Sequence, residues 1–160
     1  MKALTLMAAL AASTLSGSAT AQVILQPDQR MVDNFTNVAR KALPMAVLPD
    51  GSNVPAETAE ELAQPLVPAA LDMQTVKRGM LAAEMTLCGL DWEQLSFRPY
   101  MDKLRSSNRY TDKQLAYIGV LHGFTMQVTG SSLAPYIHNC SKGTKRQLTK
   151  MADVQDMQLP

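Results

Sequence analysis

Any chemistry in this chain would have to come from a short set of side chains. It has two cysteines, Cys88 and Cys140, two histidines, His122 and His138, and eleven methionines. A catalytic zinc wants three protein ligands held together, and neither histidine has carboxylates clustered beside it. His122 lies one residue from an apolar stripe at Leu121, which suits a partly buried histidine with a backbone or carboxylate partner. The functional alternatives are a metal ligand or a base served by a distant acid. His138, two residues before Cys140, reads as a loop residue. Thioethers are soft ligands for Cu(I), so a small-ligand or copper carrier built on His122 and methionines is the alternative binding function. Against it, Met73 and Met80 fall on a core-type stripe, M-x-M and M-x-x-M clusters are absent, and methionine commonly fills gaps in helical cores.

The thiols point elsewhere. Neither belongs to a C-x-x-C, and the absence of C-x-x-C-H disfavours covalent c-type haem. In an exported chain two cysteines imply one disulfide, Cys88–Cys140. A closed loop of about 52 residues corresponds to on the order of 4 kcal/mol in the chain-entropy account. A cysteine nucleophile would require the two thiols to be unbonded, and no His–Asn partner is evident. There is no glycine-rich phosphate loop, no G-x-S-x-G, no H-E-x-x-H and no paired Asp/Glu pattern. The sequence therefore favours contact over catalysis, with no cofactor and no metal expected.

Export is argued from the first 21 residues. Lys2 supplies a positive start, Ala3 to Leu15 is largely apolar or small, and Ala19-Thr20-Ala21 fits a small-x-small cleavage site. The apolar run is shorter than the roughly 18–20 residues of a membrane anchor. A mature chain starting at Gln22, in the bacterial periplasm or secreted, is the expectation. The full chain carries 15 basic and 14 acidic residues; loss of Lys2 balances them, which gives no support to a nucleic-acid binder. The charge is uneven: acidic residues dominate from Gln22 to Asp72, and Lys142, Lys145, Arg146 and Lys150 make the end basic.

The elements that must position these residues read as helices. Met31, Phe35, Val38 and Ala42 recur at helical spacing after Pro27-Asp28, and Pro44 ends that run. Pro49-Asp50-Gly51-Ser52-Asn53 carries turn residues. Thr58 and Glu61 form a capping-box pattern, with Pro65 and Pro68 keeping the helix brief. From Asp72, the stripe Met73, Val76, Met80, Ala83 and Leu87 leaves Lys77, Arg78 and Glu84 outside it, and Cys88-Gly89 marks the terminus. Gly79 should allow close approach of a neighbour. Asp91 with Gln94 caps a new start, interrupted at Pro99. Thr111 to Gln114 is the clearest capping box, with Leu115, Ile118, Leu121 and Phe124 behind it to about Val128. Gly119 and Gly123 suggest a second strip of close backbone approach. Gly130-Ser131-Ser132 should break the chain, and a basic helix with Leu148 and Met151 should close it.

The expected molecule is an all-α, single-domain bundle of about four to six helices, stapled by Cys88–Cys140. Its expected parts are a signal peptide (1–21), an N-terminal helix and Pro-rich arm (22–71), a disulfide-closed core (72–152) and a flexible tail (153–160). The arm would pack on its own core or on a second subunit. This plan resembles two families of the bacterial envelope, the HdeA-type acid-stress chaperones and the small helical immunity proteins that neutralise toxins delivered by type VI secretion. The likeness covers about Asp72 to Met151, rests on cysteine spacing and helicity, and carries over no site residues. It implies a protein that binds another envelope protein or a second copy of itself. Trp92, Phe97, Arg98 and Tyr100 are the expected contact residues, because aromatic and Arg side chains are favoured at binding hot spots. Equally, Trp92 and Phe97 suit the core of a domain poor in aromatics.

Overall fold

A computed structural model describes residues 26–157. The leader expected over 1–21 lies outside them, as do residues 158–160. The described residues form six α-helices: α1 (Gln29–Ala42), α2 (Ala59–Leu62), α3 (Ala69–Leu87), α4 (Arg98–Ser106), α5 (Asp112–Leu133) and α6 (Lys142–Met157). A 3-10 turn, Leu43–Met45, follows α1, and a π-helical turn, Glu93–Phe97, leads into α4. There is no strand among the described residues, only an isolated bridge between Val47 and Asn53. The chain is all-α, as its periodicity implies.

The helix starts follow from side chains that satisfy orphan backbone donors. Asp28 accepts from the Met31 amide, and Asp91 from that of Gln94. Thr58 with Glu61, and Thr111 with Gln114, close reciprocal capping boxes. α3 starts without a side-chain cap: Pro68 precedes it with an extended backbone, and the helix begins at Ala69, three residues before Asp72. Its end is as expected: Cys88 is the C-cap and Gly89 takes φ +66°, a conformation glycine adopts without a Cβ penalty.

α3 and α5 form the central pair, α1 crosses both, and α6 packs on α3. The main core gathers Leu71, Val76, Tyr100, Tyr117, Ile118 and Leu121. Val32, Ala39 and Leu43 join it from the first helix and turn, and Val54 and Val67 from the Pro-rich arm. That arm is packed on its own core. A second cluster, Leu81, Met85, Cys88, Leu148 and Ala152, surrounds the disulfide. Cys88 and Cys140 are bonded with Cα atoms 5.2 Å apart, inside the usual range for the bridge.

Several boundaries differ from expectation, each for a packing reason. The buried face of α1 is Val32 and Ala39, one step from the expected stripe, and Val38 is 41% exposed. α5 does not break at Gly130-Ser131-Ser132 but runs to Leu133, since Thr129 is buried and tertiary packing overrides weak local propensity. α6 continues to Met157, through the first part of the expected tail, with Ala152 buried against α3.

Gly79 is where the central helices touch. A Cβ there would lie 2.8 Å from the His122 carbonyl oxygen and 2.8 Å from the Thr125 Cβ. The obstacle is backbone, so it cannot swing aside. Gly79→Val should therefore destabilise the fold by about 2 kcal/mol or more despite removing a helix glycine, read as a lowered urea midpoint. An unchanged midpoint would mean that the helix pair is not packed this closely. At Gly119 and Gly123 a Cβ would meet nothing within 4 Å, so the second close-approach strip does not exist; both glycines lie away from the α3 contact.

Candidate functional site

The π-helical turn at Glu93–Phe97 brings Trp92 and Phe97 onto α5. His122 lies against both rings, with centroids 5.7 Å from Trp92 and 4.5 Å from Phe97. It is 1% exposed, and its Nε2 is buried without a hydrogen-bond partner. Burial, reinforced by the nearby Arg78 guanidinium, pushes its pKa down to about 3. The ring is thus neutral at ordinary pH, enclosed in aromatics instead of paired with a backbone or carboxylate group.

Arg78 corrects a sequence expectation. Read as outside the α3 stripe, it is 1% exposed. Its Nη1 donates to the Ser96 carbonyl at 3.0 Å and contacts the Ser96 hydroxyl at 3.3 Å, and its guanidinium sits 4.6 Å over the Tyr100 ring. Tyr100 is fully buried, its hydroxyl 2.6 Å from that of Thr75, and burial raises its pKa to about 12. These are the groups a buried cation needs around it. Tyr100 therefore offers no surface to a partner. Of the other expected contacts, Trp92 is half-buried, Arg98 is exposed and ion-paired with Glu93 at 2.8 Å, and Phe97 reaches the trough described next. Met80, Met85 and Met101 are core side chains. Among the described residues no group of three His, Cys, Asp or Glu side chains is placed to hold a metal ion, and His138 is exposed in a loop.

The trough, about 590 Å³, is bounded by the 47–49 loop, α4 and the first turns of α5. Its loop wall is held by short-range bonds: Leu48 donates to the Ser52 carbonyl, Val54 to the Ala46 carbonyl, and Asp50 accepts from the Ser52 amide and hydroxyl. Val47, Leu48, Phe97, Met101 and Leu115 give it an apolar floor and wall, with Arg105 and Asp112 also lining it. Gly119 faces it, and the missing side chain there leaves depth. Val47 is 63% exposed and neighbouring Met45 75%, so the apolar surface continues past the rim.

A second cavity, about 300 Å³, lies between α1, the 62–66 strap and the start of α3. Arg40 builds it. The guanidinium makes two hydrogen bonds to the Glu57 carboxylate, at 2.9 and 2.6 Å, and donates to the carbonyls of Glu61 and Gln64. Lys113 pairs with Glu61 at 2.8 Å, and Gln114 donates to the Leu66 carbonyl at 2.7 Å. The strap is thereby fixed to both α1 and α5. On the cavity wall Asp72 accepts one hydrogen bond, from the Tyr117 hydroxyl at 2.8 Å. Burial raises its carboxyl pKa to about 6, with Asp33 adding to the shift and Tyr117 and Arg40 opposing it. Tyr117 is raised above the usual phenol range, by burial and then by Asp72.

Sequence reasoning missed both concavities. The trough joins a loop to residues fifty and more positions away, and no local pattern announces that. Asp72 was visible only as the start of a helical pattern. Comparison with known protein families, curated proteins and solved structures gives no match, so function is argued from these sites themselves.

Proposed function

We propose that this is a non-catalytic helical protein of an oxidising, exported compartment, the bacterial periplasm, that binds another protein through the trough beside Val47. The observation that supports the reading is the trough itself: an open concavity of about 590 Å³ with Leu48, Phe97, Met101 and Leu115 among polar lining groups, beside exposed Val47 and Met45. Contiguous exposed apolar surface on a small domain marks interaction sites more often than chance surface. The occupant is a segment of a partner protein with an apolar ridge for the floor and a basic group toward Asp112; Arg105 in the lining is already ion-paired with Asp102 at 3.2 Å. The disulfide supports the compartment, and no helix among the described residues is long and apolar enough to cross a membrane. Phe97 is the one expected contact residue that lines this surface; Trp92 packs on His122 and the disulfide cluster, and Arg98 is exposed and paired with Glu93.

The test is a photo-crosslinker placed at Val47 in the exported protein, followed by titration of the captured partner with purified protein. Val47→Glu should weaken that partner by about tenfold or more, since it puts an unpaired charge against apolar surface, while thermal stability stays as in the parent because Val47 is exposed. Equal crosslinking from Val154, on α6, or unaltered affinity in Val47→Glu, would remove the trough from the account.

A further inference from the structure

We infer that the cavity between α1, the 62–66 strap and the start of α3 is a binding site for a small organic cation, an alkylammonium group seated on Asp72 with its chain against Val32, Leu62 and Leu66. This goes beyond the trough and does not rest on it.

Asp72 and Asp33 both line the cavity, and the cation on its wall, Arg40, is already committed to Glu57 and to the strap carbonyls. A half-buried carboxylate usually has a cation or several donors; Asp72 has one donor, the Tyr117 hydroxyl, bonded to Oδ1. Tyr117 is 1% exposed and rigidly packed, so it fixes the carboxylate orientation and leaves the second oxygen to the cavity. The raised carboxyl pKa has the same origin: burial of a negative charge that Arg40, bonded to Glu57, offsets only in part. An incoming ammonium group completes that counter-charge, and its N–H groups are donors only, matching the two carboxylates, Asp33 and Asp72, on the wall.

Shape selects within the class. About 300 Å³ is at the lower edge of ligand-pocket volumes, so the ligand is small. Val32, Leu62, Pro65 and Leu66 line it among the polar Gln29, Thr36, Asn37 and Gln64, so a short alkyl chain finds apolar contacts there. The strap is held by Arg40, Lys113 and Gln114 and does not have to order on binding, which keeps the entropic cost low. The group has two sources, a free amine or a lysine side chain of another protein, and both present the same chemistry to Asp72.

Calorimetric titration with n-butylammonium chloride, Nα-acetyl-lysine amide and, as the uncharged control, 1-butanol tests the site. The parent protein should bind at least one ammonium probe and not 1-butanol. The ammonium stays charged throughout, so protonation of Asp72 should lower the apparent affinity about tenfold between about pH 8 and about pH 5. Asp72→Asn should bind at least about tenfold more weakly at the higher pH. Leu62→Trp, which fills the mouth from an exposed position, should do the same without touching a charge. Butylammonium bound in preference to the lysine amide identifies a free amine as the source, and the reverse a protein side chain. Absence of saturation by either ammonium probe to about 10 mM, equal binding of 1-butanol, or undiminished binding by Asp72→Asn overturns the inference. Val47→Glu should leave the titration unchanged, so failure of the trough and failure of this cavity are separable.

Discussion

A double variant, Cys88→Ala with Cys140→Ala, is expected to lose on the order of 4 kcal/mol of folding stability. The bridge joins residues 52 apart in sequence, and the chain-entropy account makes that closure costly to the unfolded ensemble only while the bond exists. Small domains have about 5–15 kcal/mol in total, so the loss is a large fraction of what holds the fold. Alanine is the right replacement because Cys88 is buried, and a serine hydroxyl there would add a desolvation cost of its own. The loss should be distributed unevenly. Cys88 belongs to the cluster in which Leu148 and Ala152 of α6 meet Leu81 and Met85 of α3, whereas α1 and the Pro-rich arm belong to the other cluster. Hydrogen exchange in the variant should therefore show α6 amides opening first and the α1 amides last. Urea unfolding with and without the bridge checks the magnitude; a midpoint that does not move would show that the unfolded chain gains nothing from release of the bond.

The same comparison explains which parts of this molecule were readable from the chain. Capping boxes at Thr58 and Thr111 and the Cys88-Gly89 terminus are short-range chemistry, complete within four residues, and the structure places them as the sequence implies. Gly79 was readable because a glycine within a strong helical stripe needs a packing reason. Gly119 and Gly123 looked equivalent, yet spacing carries no information about which helix face meets a neighbour. Arg78 was misplaced for a related reason: its burial depends on a carbonyl and a hydroxyl at Ser96, presented by a π-helical turn that no periodicity encodes. The trough and the Asp72 cavity lie further still from local patterns. Each is closed by a segment, 47–49 or 62–66, whose proline interrupts any helical period, and the Asp72 cavity is set by Arg40, whose partners lie 17 to 24 residues away. The all-α class was legible from many weak signals that agree; the sites depend on which segments, far apart in sequence, come to face one another.

His122→Phe should become more stable relative to the parent as pH falls, by on the order of 4 kcal/mol near pH 3, at about 1.4 kcal/mol for each unit of pKa displacement. In the fold His122 titrates near 3, in the unfolded chain near 6.5, so between those values the unfolded chain binds the extra proton. Its contribution to stability is complete above the unfolded value and is lost as pH falls toward the folded one. Asp72 has the opposite sign. Its folded pKa of about 6 exceeds the unfolded 3.8, so the folded state binds the proton there, and acid from about 6 downward relieves the cost of its buried charge. Glu84, raised by burial alone, acts in the same direction as Asp72. From about pH 6 to about pH 3.8 the two slopes oppose one another, and the parent should change little in stability on their account. Below that window His122 continues to titrate, with a cation forming against Trp92 and Phe97 beside the Arg78 guanidinium. Asp50, Glu60 and Glu61, held below the usual carboxylate range by their hydrogen bonds, add to the loss. The parent should therefore lose stability steeply there, Asp72→Asn should begin its loss from about pH 6.5, and His122→Phe should gain stability where the parent is level. The measurement is the pH slope of the urea-derived unfolding free energy, which is insensitive to any constant penalty for fitting a phenyl ring. Parallel slopes for parent and His122→Phe would mean that the imidazole is not held neutral by the fold, and that the aromatic enclosure around it admits a charge.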